Sequence, residues 1–262
     1  MAKIYHPDFF RRPGHPFTPP VLAEAKRHAA QDAPNEACGL VVSGDYIPCA
    51  NVADDPASQF KIAAEELAQA YASGTLEGVV HSHPGGPYWP TRADMLGQLE
   101  TQVPWAILVP GEETAELACW WGGKRPPVFT SDGLHVPRAF LPQVSDCYSI
   151  IQDWFLEARG VALMDMPRQW EWWKDLDTYG SLYLENFEQA GFECVSQDPD
   201  AFARLAEPGD VYLMKIRSKV PNHGGIYLGE GLNLEHIEGC LSHREPMARK
   251  VKHITHLMRY RG

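Results

Sequence analysis

An α+β chain folded as two domains is the fold class that the sequence predicts, and three observations carry it. The chain has 262 residues, more than the about 100–150 of a usual single domain. Helical and strand patterns alternate in the front half, whereas two helices precede a run of strands in the back half,. Between the halves, Gly122-Gly123-Lys124-Arg125-Pro126-Pro127 shifts abruptly to small, charged and proline residues, as linkers do,. These features predict a first, mixed α/β domain over 1–125, a linker over 126–140 and a second domain over 141–262.

The front half opens with a helix over Pro20–Gln31, where Pro20 suits a helix start and Leu22, Ala25 and Ala29 recur at helical spacing,. Glu36–Val42 reads as a buried strand, turned by Ser43-Gly44-Asp45 into Tyr46–Cys49, with Glu36 at its mouth,. Lys61–Ala72 predicts a helix burying Ile62, Leu67 and Tyr71 and stopping at Gly74,. A short strand, Glu77–His81, then ends at a histidine pair. Three prolines and two glycines make Pro84–Pro90 an irregular loop,. Thr91 opens a helix through Glu100, and strands follow at Trp105–Val109 and Ala115–Trp121. In the back half, Cys147 begins a helix running through Arg159, with Ile150, Ile151, Trp154 and Phe155 on one face and Gly160 as its cap,. A helix over Tyr183–Gln189 and strands over Gly209–Ile216, His223–Leu228 and Leu232–Ile237 complete the reading.

Composition narrows the function. Hydrophobic residues make up 44%, with 8 Trp, 10 Tyr and 10 Phe, which is a globular rather than a disordered composition,. A net charge of -11 repels a polyanion, so no nucleic-acid partner is expected,. The start, MAKIYHPDFFRRPGHPF, lacks the apolar run of about seven residues of a secretory signal, and no run of about eighteen predicts a transmembrane segment,. Folding in a cytoplasm is therefore expected. Six cysteines without a C-x-x-C pair argue against a disulfide framework or a thiolate zinc site,. Most are expected to be buried small hydrophobes, with Cys147 a candidate exception.

Two constellations carry chemistry. His81 and His83 leave a strand end on the same face, and Asp94 lies three residues beyond Thr91, so three ligands converge with a fourth position free for water,. A carboxylate near such a water takes its proton, and Glu36 is the candidate base,. Thr91-x-x-Asp94 also reads as a helix-capping box that needs no chemistry, but capping alone leaves the histidine pair, the loop and Glu36 unexplained,. In the second constellation, Cys147 at a helix start faces the positive end of the macrodipole, which favours a thiolate,. His223, distant in sequence at a strand start, is the candidate imidazole,. Its orienting partner depends on the Gly229-Glu230-Gly231 turn. A three-residue loop puts Glu235 on the face of His223, and a two-residue turn brings His236 round instead,. A carboxylate is able to orient an imidazole and stabilise its charge, which favours Glu235.

Glu36, His81-x-His83, Thr91 and Asp94 together resemble the E-x(n)-H-x-H-x(7)-[ST]-x-x-D signature of the JAMM/MPN zinc metallopeptidases. The resemblance implies Zn2+ on His81, His83 and Asp94, Glu36 as general base, a Thr91 hydroxyl that stabilises the oxyanion, and cleavage of amide or isopeptide bonds. The family usually has Ser where Thr91 stands; Thr keeps the hydroxyl but restricts its rotamers.

Asp146-Cys147, Pro208-Gly209-Asp210-Val211 and Asn222-His223-Gly224-Gly225 through Gly231 resemble the NlpC/P60 papain-like cysteine peptidases. That likeness implies Cys147 as nucleophile, His223 as base and action on peptide bonds of bacterial wall stems. The family often has a His at the third position, where Glu235 stands here.

The pairing of both domain types on one chain resembles the tail-tip assembly proteins of lambda-like tailed phages. It implies a virion tail-tip location after assembly in the host cytoplasm. It also implies other phage tail-tip proteins and bacterial peptidoglycan as partners, no transmembrane segment, and two hydrolytic sites that help the tail cross the wall. Two rival readings are a structural tail-tip plug or assembly factor with weakened sites, and an isopeptidase acting on a protein conjugate.

Overall fold

A computed structural model describes residues 15–111, 114–125 and 127–262. The N-terminal stretch read above as no secretory signal lies almost wholly outside the described residues. No helix among the described residues is long and apolar enough to cross a membrane.

In the front half, helix α1 (Pro19–Asp32) precedes strands β1 (Cys38–Val42) and β2 (Asp45–Cys49). Helix α2 (Ala64–Ser73), strand β3 (Leu76–Ser82), helix α3 (Arg92–Thr101), and strands β4 (Trp105–Pro110) and β5 (Ala115–Trp121) follow. The strands form one sheet in the order β2-β1-β3-β4-β5. All neighbours are antiparallel except β3 and β4, which run parallel because α3 carries the chain back between them,. Val21, Ala25 and Ala29 of α1 pack on Val41, Val80, Ala106 and Leu108, forming the core on one sheet face. The helix expected from Lys61 begins at Ala64, because Ile62 bridges to Asn51 instead. Ala70 takes the buried position, and Tyr71, expected inside, is 54% exposed.

The chain divides between Lys124 and Arg125. Of residues 126–140, expected as a linker, the described ones, 127–140, fold onto the second unit. Val128 is fully buried in that unit's core, Arg138 pairs with Asp153, and His135 Nε2 lies 3.0 Å from Ser242 Oγ. The proline-rich composition hid these partners.

The second unit starts from helix α4 (Cys147–Arg159) and short helices α5 (Leu176–Tyr179) and α6 (Leu182–Gln189). After them come strand β6 (Phe192–Ser196), helix α7 (Phe202–Leu205), and strands β7 (Val211–Met214), β8 (His223–Gly229), β9 (Leu232–Glu235), β10 (His243–Pro246) and β11 (Ile254–Tyr260). They form an antiparallel sheet ordered β10-β9-β8-β7-β11-β6. Ile150, Ile151, Trp154 and Phe155 of α4 pack against Val211, Leu213, Ile226 and Leu234. Strands β6, β10 and β11 were absent from the sequence reading. All six cysteines are unpaired; Cys38, Cys49, Cys119 and Cys147 are buried, and Cys194 and Cys240 exposed.

Candidate active sites

In the first unit, β3 ends at Ser82 and delivers His81 and His83, both buried, toward the N-terminus of α3. Thr91 caps α3 with a capping box: Thr91 Oγ1 accepts from Asp94 N (3.2 Å), and Asp94 Oδ2 accepts from Thr91 N (2.7 Å) and Oγ1 (2.8 Å),. The box fixes Asp94 and leaves Oδ1 facing His81 Nε2 at 3.3 Å, while Oδ2 lies 3.4 Å from His83 Nε2. Capping and clustering therefore coexist in one carboxylate. The Thr91 hydroxyl that the signature assigns to an oxyanion is held within this cap.

His83 Nδ1 lies 2.8 Å from the Pro87 carbonyl, which puts its proton on Nδ1 and leaves Nε2 a lone pair,. That lone pair faces His81 Nε2 at 3.0 Å and the Asp94 carboxylate. Three buried acceptor-bearing groups with ligand atoms within 4.8 Å of one another are what a cation balances,. Two imidazole nitrogens and one carboxylate oxygen are a donor set that fits zinc. Phe60 stacks on His81 at 4.6 Å, and Trp105 and Trp121 meet its ring edge-on, so the walls are aromatic. Burial pushes His81 below its ordinary value. Asp94 is held well below the carboxylate range, because His81 and His83 outweigh its burial. Burial pushes the Glu36 carboxyl up to about 7, and the His83 ring and the Asp94 charge act on it as near neighbours.

In the second unit, Asp146 is the N-cap of α4 and accepts from Tyr148 N (3.1 Å) and Ser149 N (2.9 Å). The buried Arg168 guanidinium holds the same carboxylate through contacts of 2.7 to 3.1 Å. Cys147 is thereby fixed at the first position of α4. Its sulfur lies 3.2 Å from Tyr183 Oη of α6, and the thiol is a close enough neighbour of His223 to raise that ring. His223 Nε2 lies 3.3 Å from Glu235 Oε2.

The choice between Glu235 and His236 is made by a bulge. The β8–β9 loop has two residues, Glu230 and Gly231, both at positive φ, as a tight hairpin requires,. Without further irregularity His236 would share the face of His223. The register shifts between Tyr227 and Gly229, however, and Glu235 pairs with Gly225, on the His223 side,. His236 is fully buried with both ring nitrogens unpartnered and its ring edge-on to Phe140. Gly225 has its own reason: an added Cβ would fall on the Tyr212 ring, whose hydroxyl reaches Glu235 Oε2 at 3.1 Å.

Burial disfavours a charged His223, but the Cys147 and Glu235 contacts outweigh it and raise the ring to about 9. Cys147 and His223 line a cleft of about 470 Å³ with Trp170, Trp172, Trp173 and Arg217. Tyr183 and Arg168 were missed as site residues. Neither stands in a short motif, and only the three-dimensional approach of α6 and the 165–168 segment marks them.

Residues 18–122 match the family described as prokaryotic homologs of the JAB domain, and residues 120–259 match the NlpC/P60 family. Tail tip assembly protein K of Escherichia phage lambda is 35% identical over 199 residues, covering 76% of this chain and 88% of that protein. Its namesake in Escherichia phage N15 is 29% identical over 225 residues, covering 84% and 85%. A solution structure from Desulfitobacterium hafniense is 22% identical over 44% of this chain and 84% of its own, at a TM-score of 0.28, too low to bear on the fold. With an NlpC/P60 match over more than half its length and a relative at 35% identity spanning most of both sequences, the chain belongs to the NlpC/P60 family and, with its JAB-type first domain, to the family of tail tip assembly protein K.

Proposed function

We propose that this chain is a component of a phage tail tip, located in the virion, that cleaves bacterial peptidoglycan and takes other tail-tip proteins as partners. The observation that carries the enzymatic part is that Cys147 and His223 line one aromatic-walled cleft, with the buried Glu235 behind the imidazole. Glu235 orients the imidazole, and His223 holds the Cys147 proton. The sulfur attacks the carbonyl carbon of a stem peptide bond, and His223 passes the proton to the leaving amine. Water then releases the thioester while His223 takes a proton from it and returns one to the sulfur. Arg217 and Lys174 in the cleft suit the carboxylates of wall stems,.

In the first unit, His81, His83 and Asp94 would hold zinc, which when bound supplies Lewis acidity toward an amide carbonyl or a water,. Glu36, raised to about 7, holds or releases a proton near neutral pH, as an amide hydrolase needs,. A second reading, an assembly factor whose first unit is a scaffold, is favoured by the engagement of the Thr91 hydroxyl in the α3 cap.

Digestion of isolated peptidoglycan by wild type, Glu36→Gln and Cys147→Ala, with the products identified by mass spectrometry, tests both. New fragments that disappear in Cys147→Ala assign the cysteine centre, and those that disappear in Glu36→Gln assign the first. No fragments from any version supports the scaffold reading.

A further inference from the structure

Glu235 is a carboxylate with 0% exposure. Carrying a charge there costs several kcal/mol unless counter-charges and hydrogen bonds surround it. Its Oε2 meets His223 Nε2 at 3.3 Å and the Tyr212 hydroxyl at 3.1 Å. Its Oε1 meets Lys250 Nζ at 2.9 Å and His243 Nε2 at 3.5 Å. Glu245, from β10, shares Lys250 at 3.0 Å and is itself approached by Arg249 at 3.8 Å. The two carboxylates and His243 form a cluster of metal-ligand type, but the Lys250 ammonium already stands against both acids. Lys250 sits between two 3-10 turns, Met247–Arg249 and Val251–His253, and its N–H donates to Met247 O at 2.8 Å. Met247 is buried, so the turn is anchored.

We propose that Lys250 is a positioning residue of the cysteine centre: its ammonium keeps Glu235 ionised and, through Glu235, keeps His223 charged beside Cys147. This rests on the reading of Cys147 and His223 as a peptidase pair. Lys250 touches no reacting atom. A neutral polar residue in the Glu235 position would need no such cation, whereas a buried carboxylate does. The Glu235 carboxyl is held well below its ordinary range, since contacts to His223, Glu245 and Lys250 outweigh its burial. A purely structural Lys250 would affect stability and leave the charge state of the Cys147–His223 pair unchanged.

The test is alkylation of Cys147 by iodoacetamide in the full chain between about pH 5 and pH 10. Mass spectrometry of the Cys147 peptide reads it, since Cys194 and Cys240 are exposed as well. Wild-type Cys147, with a charged His223 beside it, should be alkylated at lower pH than the exposed Cys240 of the same chain,. Lys250→Met and Lys250→Gln should shift that limb upward by about one unit or more, and Lys250→Arg should restore it. Lys250→Gln carries the test if Lys250→Met fails to fold, as judged by its thermal melt. Profiles of the neutral variants that superimpose on wild type overturn the proposal and leave the peptidase pair standing. A wild-type Cys147 that reacts only as a free thiol overturns the pair and the proposal with it.

Discussion

Burial acts on His223 and His236 alike, and what each ring touches decides where its proton goes. His223 has the Cys147 thiol and the Glu235 carboxylate, and its proton is held up to about 9. Burial pushes His236, whose nitrogens have no partner, down to about 4. The signs for stability are opposite. A group raised from about 6.5 contributes fully below that pH, and its contribution is lost as pH rises through about 9. A histidine buried neutral weakens the fold as pH falls from about 6.5 through 4, because the unfolded chain binds the extra proton. Urea unfolding across pH should therefore show an alkaline limb that flattens in Glu235→Gln and an acid limb that flattens in His236→Ala. Limbs unchanged by these substitutions would refute the assignment. At this scale the sequence was legible where chemistry follows short spacing, as in His81-x-His83 and Thr91-x-x-Asp94. It gave no site role to Tyr183, Arg168 or Lys250, which reach their partners from separate elements.

Helix α4 depends on a pair that the sequence conceals. Asp146 caps the helix and would be a buried, unbalanced charge without Arg168. Removing one partner of such a pair typically costs about 3–5 kcal/mol. Arg168→Met should lower the free energy of urea unfolding of the second unit by that order and slow Cys147 alkylation, because the helix start that places the sulfur frays. Arg168→Lys should recover only part, since an ammonium cannot repeat the forked contact. A variant as stable as wild type would show that Asp146 finds other partners. Element positions along α3, α4, β4 and β5 were readable from periodicity and caps. Strand β11 was not, because His256 and Arg259 interrupt its apolar residues; Arg259 is accommodated by Asp210 at 2.8 Å, the residue just before β7. The β8 bulge was also hidden. The sequence posed the choice between Glu235 and His236 in terms of loop length, but the extra residue lies inside the strand.

Across the whole molecule, the two centres share no residue. Glu36, His81, His83 and Asp94 all precede Lys124, and Cys147, His223 and Glu235 all follow Arg125. Substitutions without shared partners are expected to add. On the proposed function, purified chain should hold about one zinc on His81, His83 and Asp94,. Asp94→Ala should lose it, whereas Cys147→Ala should keep it. In the other direction, a chelator should leave the rate and pH profile of Cys147 alkylation unchanged, since neither the thiol nor His223 is a ligand. The double variant Glu36→Gln/Cys147→Ala should then lose the sum of the peptidoglycan fragments lost by each single variant. Metal analysis with peptide-resolved alkylation and product mapping checks this on one protein preparation. If chelation alters Cys147 reactivity, the centres are coupled, and the division of labour between a metal-binding first unit and a cysteine second unit fails.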